Sequence, residues 1–539
     1  MSTAAASEKP SPPPNKLSKK AAGVVGLAVA CSRVLGMIRE MIFGALFGAN
    51  TSMDMFVTAF RVPNLLRDLF AEGALSTAFI TTFSRKIATE GDDSAWRLAN
   101  KVATLAAVFI SLVTLLGILL APQLISVMAS GFDAPKAEMT TLLTRIMFPF
   151  ILLVSLAALA MGMLNARHVF GMPAMASSFF NLGSIIGGLS LAWWMDPGFG
   201  PRALIGLSIG TLIGGFLQLV VQFPSLRKVG FRFRPDFQWR DEGVSQILRL
   251  MGPAVIAASA VQVNVMVNTA FATRLEEGAV SSLNYAFRLM QLPLGMFGVA
   301  VATVTLPVVS RLASVNDTRG FSSTLARGVR LAFLLTIPSA VGLAFFAEPI
   351  ISLLYQRGKF DMTATLQTAA ALKYYAMGLV AYSGIKVLVP AFYAVDRRNL
   401  PMVIGFISIG SNYVLNQIFT FYLGFGLRGL ALSTSLVALC NFGLLYFFMR
   451  RHTGRLDTRL MVVNLAKLAL ASIPLAAICA FSQRWFFADL GSMAFVPKLI
   501  AVLGTIGAAA GAFGAAVILL KVEEVQEVVR IVKRKLGRG

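Results

Sequence analysis

The chain has 539 residues, 56% of them apolar and only 14% charged, with a formal charge of +23 and a mean hydropathy of +0.73. A soluble globule of this size carries about 25% charged residues, which excludes a cytosolic domain; the apolar runs are too long for the short alternating strands of a membrane β-barrel. The positive excess falls in alternate loops, the positive-inside pattern of a polytopic helical membrane protein rather than the footprint of a nucleic-acid binder.

Residues 1–18 are rich in Ser, Pro and Lys and read as a disordered cytoplasmic N-terminus. No small-residue cleavage site follows the first apolar run, 21–47, so it is expected to be retained as a helix. That run contains Ser32, Arg33, Gly36, Arg39 and Glu40. At about 100° per residue these five fall within an arc of roughly 120°. Val34, Leu35, Met37, Ile38, Met41 and Ile42 cover the other face. The second run, 56–84, places Arg61, Asn64, Asp68, Glu72 and Ser76 on one arc, with Arg67 on its flank. A charge near the bilayer centre costs about 3 kcal/mol even on lenient scales, so such groups are expected to face a watery cavity. The plainer reading, ion pairs that only hold helices together, would need acids to match the bases.

Further apolar runs lie near 100–127, 141–165, 172–195, 202–223, 247–272, 283–310, 328–354, 366–394, 400–423, 427–449, 461–485 and 496–520, giving about fourteen spans. The loops holding Arg85 and Lys86, Arg227 and Lys228, Arg311 and Arg319, and Arg450 and Arg451 are basic, while Lys136, Arg202, Arg274 and Arg484 stand mostly alone in the alternate loops. This predicts that both termini are cytoplasmic. Ala59-Phe60-Arg61 is echoed by Ala286-Phe287-Arg288, Ser84-Arg85 by Ser310-Arg311, and Pro173 by Pro401, at offsets of 227, 226 and 228 residues. A shift across six helices preserves topology, so the halves are parallel repeats about an axis along the membrane normal. The expected division is an N-lobe over 19–226, a cytoplasmic linker over 227–244, a C-lobe over 245–451, an extra helix pair over 452–520 and an amphipathic cytoplasmic tail over 521–539.

In the C-lobe, Ser281, Asn284, Arg288 and Gln291 share a face of the eighth span. Tyr375, Tyr382, Lys386 and Tyr393 of the tenth lie within about 40° of one another, as a packing seam or as a cationic lining with amphipathic walls. The intramembrane cations Arg33, Arg39, Arg67, Arg288 and Lys386 suit an anion, and arginine suits the bidentate grip of phosphate. Asp54, Asp68 and Glu72 would keep the cavity from being uniformly positive. Gly504, Gly507, Gly511 and Gly514 make a small-residue face on the last span, for close helix packing or as a smooth groove for a lipid chain.

Signals for catalysis are lacking. There is no GxxxxGK[ST] loop and no HExxH. His168 and His452 sit at helix ends, and Cys31, Cys440 and Cys479 are isolated in apolar runs, as buried thiols rather than metal ligands. Asp92 with Asp93, and Asp241 with Glu242, are the only adjacent acidic pairs in long cytoplasmic loops, each among basic residues. No catalytic residue, cofactor or metal is expected.

Ser32-Arg33-Val34-Leu35-Gly36-Met37-Ile38-Arg39-Glu40 resembles the first-helix signature of the MurJ (MviN) lipid II flippases. Asp54-Met55-Phe56, Ala59 through Arg67 and Phe70-Ala71-Glu72-Gly73-Ala74 resemble their second helix. Tyr285 to Pro293 and Lys386 to Tyr393 extend the likeness over essentially the whole chain. The resemblance implies the multidrug/oligosaccharidyl-lipid/polysaccharide exporter superfamily and transport of lipid II, an undecaprenyl-pyrophosphate-linked disaccharide-pentapeptide, from the cytoplasmic to the periplasmic leaflet of the bacterial inner membrane. It places the family's cavity arginines on Arg33, Arg39, Arg67 and Arg288, its cavity acid on Asp54 and its tenth-helix lysine on Lys386. It implies that the extra helix pair forms a groove for the lipid tail, with membrane lipids and other cell-wall synthesis or division proteins as further partners. Asn64, Glu72, Ser32 and Gly36 complete the expected substrate lining. Asp68 departs from the arginine, Glu40 from the aspartate and Phe287 from the acid common in relatives. Some members bind sodium in the second lobe; Asn264, Asn268, Asn412 and Asn416 lie there without an intramembrane acid, and sodium is not expected. The alternatives are an exporter of another polyprenyl-linked glycan or of drugs, a membrane transferase, and a scaffold for wall-synthesis proteins. Acidic cavities suit cationic drugs, a transferase needs metal-binding carboxylates, and a scaffold needs no buried arginines.

Overall fold

The computed structural model describes residues 19–69, 75–454, 456–491 and 493–526. The expected disordered N-terminus, Glu72 with the 70–74 part of the family-like motif, and most of the expected amphipathic tail lie outside these residues. Among them the chain forms helices and no strand. They are α1 (Lys19–Phe47), α2 (Thr51–Arg67), α3 (Ser76–Glu90), α4 (Asp92–Leu119), α5 (Ala121–Met128), α6 (Ala134–Met147), α7 (Phe150–Ala166), α8 (Gly171–Met195), α9 (Ala203–Val220) and α10 (Phe223–Lys228). They continue with α11 (Glu242–Ala272), α12 (Ala279–Pro293), α13 (Val299–Ser314), α14 (Thr318–Phe345), α15 (Ala347–Tyr355), α16 (Met362–Ala394), α17 (Asn399–Asn416), α18 (Leu427–Thr453), α19 (Thr458–Trp485) and α20 (Phe495–Leu519). Eleven stretches among the described residues are long and apolar enough to cross a membrane, so the expected fourteen spans stand at eleven by that measure.

Short polar side chains start the helices where the loops require it. Asn50 accepts hydrogen bonds from the Ser52 and Met53 amides at 3.0 and 3.3 Å, Asp361 from Ala364 at 2.8 Å and Asp317 from Gly320 at 2.9 Å. In the second span α2 ends at Arg67, a π-helical turn begins at Asp68 and Leu69, and α3 starts at Ser76. Single π-helical turns, Leu294–Gly298 and Gln417–Tyr422, interrupt the eighth and eleventh spans, and such turns mark sites where regular packing gives way to function.

Two lobes result. In the first, α8 packs on α9 and α1, and glycines let the backbones meet: a Cβ at Gly210 would sit 2.1 Å from the Gly188 Cα. In the second, α16 is the central strut, touching α12, α13, α14, α15 and α18. The pair α19–α20 sits against α14 and α15. There Glu524 accepts from Arg330 Nε at 2.5 Å and from Asn464 Nδ2 at 3.0 Å, all three buried. Among the described residues the glycine face of α20 packs on nothing: a Cβ at Gly504, Gly507, Gly511 or Gly514 would meet no atom within 4 Å. The face that packs is the opposite one, with Val502, Ala509, Phe513 and Val517 buried. Among the described residues, then, no helix packs closely on that stripe. Cys479 is buried as expected, but Cys31 and Cys440 lie on outward faces of α1 and α18 and are exposed.

Candidate functional site

The inward faces of α1, α2 and α12 meet at the centre. Glu40 is buried, and one of its oxygens accepts a charged hydrogen bond from Arg39 Nη2 at 2.9 Å and forms an ion pair with Arg288 Nη1 of the other lobe at 2.9 Å. The Arg39 guanidinium stacks over the Phe180 ring at 5.2 Å, and its Nε is buried without a hydrogen-bond partner. Arg61, Asn64, Asn284 and Tyr285 line the same cavity of ≈ 80 Å³. Arg61 and Arg288 occupy equivalent positions of the sequence repeat, and both reach this one cavity. Three guanidiniums therefore stand around one carboxylate. Arg288 has no acid in its own helix; the acid it pairs with, Glu40, comes from the other lobe.

The end of the molecule carrying the α1–α2 turn is closed by contacts between lobes. Asp54, buried in the first turn of α2, accepts from the Gly278 amide at 2.8 Å, the Ser281 amide at 2.7 Å and the Ser281 hydroxyl at 2.7 Å. It caps the N-terminus of a helix in the other lobe, where free amides and the helix dipole favour an anion. Asp54 and Ser281 are 227 residues apart, the repeat offset itself, so they face each other across the pseudo-two-fold axis. Gly278 lies at φ +82°, and a Cβ there would sit 2.3 Å from the Ala49 carbonyl oxygen. Lys359 donates from its amide to the Ala45 carbonyl at 2.8 Å and from Nζ to the Gly198 carbonyl at 2.7 Å. Tyr285, Tyr355 and Phe360 stack beneath, within 4.8 to 5.6 Å of one another, in a hydrophobic cluster that both lobes share.

The other expected residues fall elsewhere. Arg33 is exposed, and its guanidinium approaches the π turn at Gly295. The Ser32 carbonyl accepts from Asn181 Nδ2 at 3.1 Å, and Gly36 rests on the same asparagine, so these two seat α1 on α8. Arg67, half-buried, holds Asp68 at 2.8 Å, and Asp68 also accepts from Gln262 of the second lobe at 3.3 Å. Lys386 is exposed and lines neither cavity, although Tyr375 and Tyr382 of the same arc do line one. Arg61 is the residue that the expected lining omitted. Its signal was present, because it sits on the polar arc of the second span with Asn64 and at the repeat equivalent of Arg288.

A second chamber of ≈ 200 Å³ opens in the C-lobe between α11, α12, α16, α17 and α18. Arg61 lines it too, so one side chain joins the two cavities. Beside it the amides bond to one another: Asn416 Nδ2 donates to Asn268 Oδ1 at 2.8 Å and to Asn412 Oδ1 at 2.9 Å, and Asn268 Nδ2 donates to Thr434 at 3.2 Å. A hard cation is held by carboxylate-rich oxygen sets; here the side chains are neutral amides, with the oxygens of Asn268 and Asn412 engaged by Asn416 and those of Asn264 and Asn416 buried without a partner. Of the two adjacent acidic pairs in the loops, Asp92 is engaged by Arg167 at 2.7 Å and Asp241 by Lys101 at 2.9 Å.

A family profile described as "Lipid II flippase MurJ" matches residues 43–500. A protein of Vibrio cholerae serotype O1 named probable lipid II flippase MurJ is 33% identical over 511 residues, covering 93% of this chain and 95% of the relative. One of Burkholderia cenocepacia, named lipid II flippase MurJ, is 36% identical over 426 residues, covering 78% and 81%. A solved structure described as lipid II flippase MurJ in an inward closed conformation is 26% identical with a TM-score of 0.75, covering 92% of this chain and 99% of its own. An inward-facing multidrug transporter of the wider superfamily shares the fold at 15% identity, with a TM-score of 0.67 over 81% of this chain and 99% of that one. With its two repeat-related lobes and added helix pair, the chain belongs to the MurJ lipid II flippase family.

Proposed function

We propose that this protein moves lipid II from the cytoplasmic to the periplasmic leaflet of the bacterial inner membrane by alternating access. The observation that carries the reading is Glu40 held between Arg39 and Arg288, one from each lobe, with Arg61 in the same cavity. Three guanidiniums and one carboxylate leave two positive charges in surplus, and a pyrophosphate diester carries two negative ones. Buried charge without a partner is costly. Glu40 holds the arginines in register while the site is empty, and the pyrophosphate, with more oxygens and bidentate geometry, takes them over. Because the ligands come from two lobes, binding draws the lobes toward one another, which couples occupancy to which end is open.

In this scheme the end closed by Asp54, Gly278 and Lys359 is periplasmic, both termini are cytoplasmic, and Arg33 and Arg67 lie toward the mouth that admits substrate. The lobes run over 19–226 and 245–451 with a linker between them, and the extra pair over 452–520 offers the bare glycine face of α20 to the lipid tail. Lys386 and Glu72 remain candidates for contacts made in another state of the cycle. The protein makes and breaks no covalent bond, needs no cofactor and has no nucleic-acid partner; membrane lipids surround it, and other wall-synthesis or division proteins are candidate partners. The test is complementation of a flippase-depleted strain, with membrane abundance followed by blot. Wild type restores growth. Normal growth of a variant carrying both Arg39→Ala and Arg288→Ala contradicts the reading.

A further inference from the structure

We infer that the C-lobe chamber is the seat of an N-acetylated sugar ring, received next to the arginine cluster and joined to it by Arg61. This rests on the function proposed above and goes beyond it by naming a second subsite and the chemistry it reads. In a pyrophosphate-linked glycan, only the anomeric oxygen separates the phosphorus from the first ring. Whatever volume adjoins the phosphate site must therefore receive that sugar. The chamber adjoins it twice over. Arg61 lines both cavities, and α12 is their common wall, with Asn284 and Arg288 on one side and Leu283 and Phe287 on the other.

The lining suits an uncharged, hydroxyl-bearing ring. Phe287 and Tyr375 meet edge to face at 5.4 Å, and Tyr382 joins them as a wall for the C–H face of a pyranose. Asn264 and Asn441 add amides for hydroxyls. Two buried polar atoms of the chamber have no hydrogen-bond partner: Nε of Arg61, a donor, and Oδ1 of Asn264, an acceptor. Unpaired buried polar atoms are costly, and those in native structures ask for an explanation. One donor and one acceptor, carried by two residues that line a single chamber, are the complement of a secondary amide, whose C=O takes the Arg61 N–H and whose N–H goes to Asn264. The cavity of ≈ 200 Å³ is below the roughly 300 Å³ where pockets for drug-sized ligands begin, so it fits one ring with its acetamido group and leaves the peptide outside.

The experiment uses the full-length protein in nanodiscs and measures equilibrium binding of lipid II and of undecaprenyl pyrophosphate, which lacks the sugars. Asn264→Leu and Asn441→Leu keep the branched side-chain shape and remove the amide; either one that accumulates serves. The expected result is that lipid II binds to wild type more tightly than undecaprenyl pyrophosphate, and that each variant weakens lipid II about tenfold while leaving undecaprenyl pyrophosphate unchanged. Wild type binding both ligands equally overturns the sugar subsite and leaves the pyrophosphate site standing. Variants that bind lipid II like wild type, or weaken both ligands alike, also overturn it. Wild type binding neither ligand rejects the proposed function, and this inference with it.

Discussion

Glu40 holds two arginines, and the consequences of removing each partner differ. Arg39→Ala leaves Glu40 paired with Arg288 at 2.9 Å, so the variant is expected to fold and accumulate while losing at least tenfold in transport rate. Glu40→Ala strips both arginines of their acid; breaking a buried pair in this way costs about 3–5 kcal/mol. The expected outcome is a lower unfolding temperature of the purified protein than for Arg39→Ala, and equal temperatures for the two variants would remove the structural role assigned to Glu40. Arg288→Lys keeps charge and loses the planar fork, so partial transport is expected, between wild type and Arg288→Ala in the same assay. Much of this was legible beforehand. Arg39, Glu40 and Arg288 stand out because charge on a helical arc inside an apolar run has few structural explanations. The bond from Glu40 to Arg288 was not legible, because it spans the two lobes and no local pattern encodes it. Lys386 misled for the converse reason: it shares an arc with Tyr375 and Tyr382 but lies past Ile385, the last residue of α16 on the chamber wall.

Among the elements, the meeting of α2 with the N-terminus of α12 is the one built to break and re-form. Asp54 satisfies two free amides of α12 and a hydroxyl, and loss of such a cap costs about 1 kcal/mol. Asp54→Ala is therefore expected to populate the state open at this end. A cysteine introduced at Ala49, beside Gly278, should react faster with a membrane-impermeant maleimide added from outside in that variant than in the parent. An unchanged labelling rate would show that the cap does not hold the gate. Gly278→Ala acts more directly, since its Cβ would lie 2.3 Å from the Ala49 oxygen; it is expected to raise labelling at least as much. The sequence placed Asp54 within a family-like motif, yet its use as a cap across the lobes follows only from the 227-residue pairing with Ser281 in space. The change from α-helix to a π-helical turn at Asp68 was invisible for a related reason: the polar arc continues through Asp68 to Ser76, and periodicity does not report a local change of helix type.

At the scale of the whole molecule, the repeat offset and the loop charges both describe two lobes of like orientation. The orientation predicts that cysteines placed at Asn50 and Ala134 are labelled from the periplasm and one at Asn316 from the cytoplasm; the reverse pattern would invert the proposed direction of access. The α19–α20 pair, pinned through Glu524 to Arg330, is expected to stay with the second lobe as the lobes move, carrying its glycine face with it. The most direct test of the account is transport itself: the purified protein in vesicles, with labelled lipid II in one leaflet and a leaflet-access readout over time. The account predicts that wild type equilibrates the lipid between leaflets and that the Arg39→Ala, Arg288→Ala double variant, inserted at equal density, leaves it where it began. Equal movement of lipid II by both proteins would contradict it.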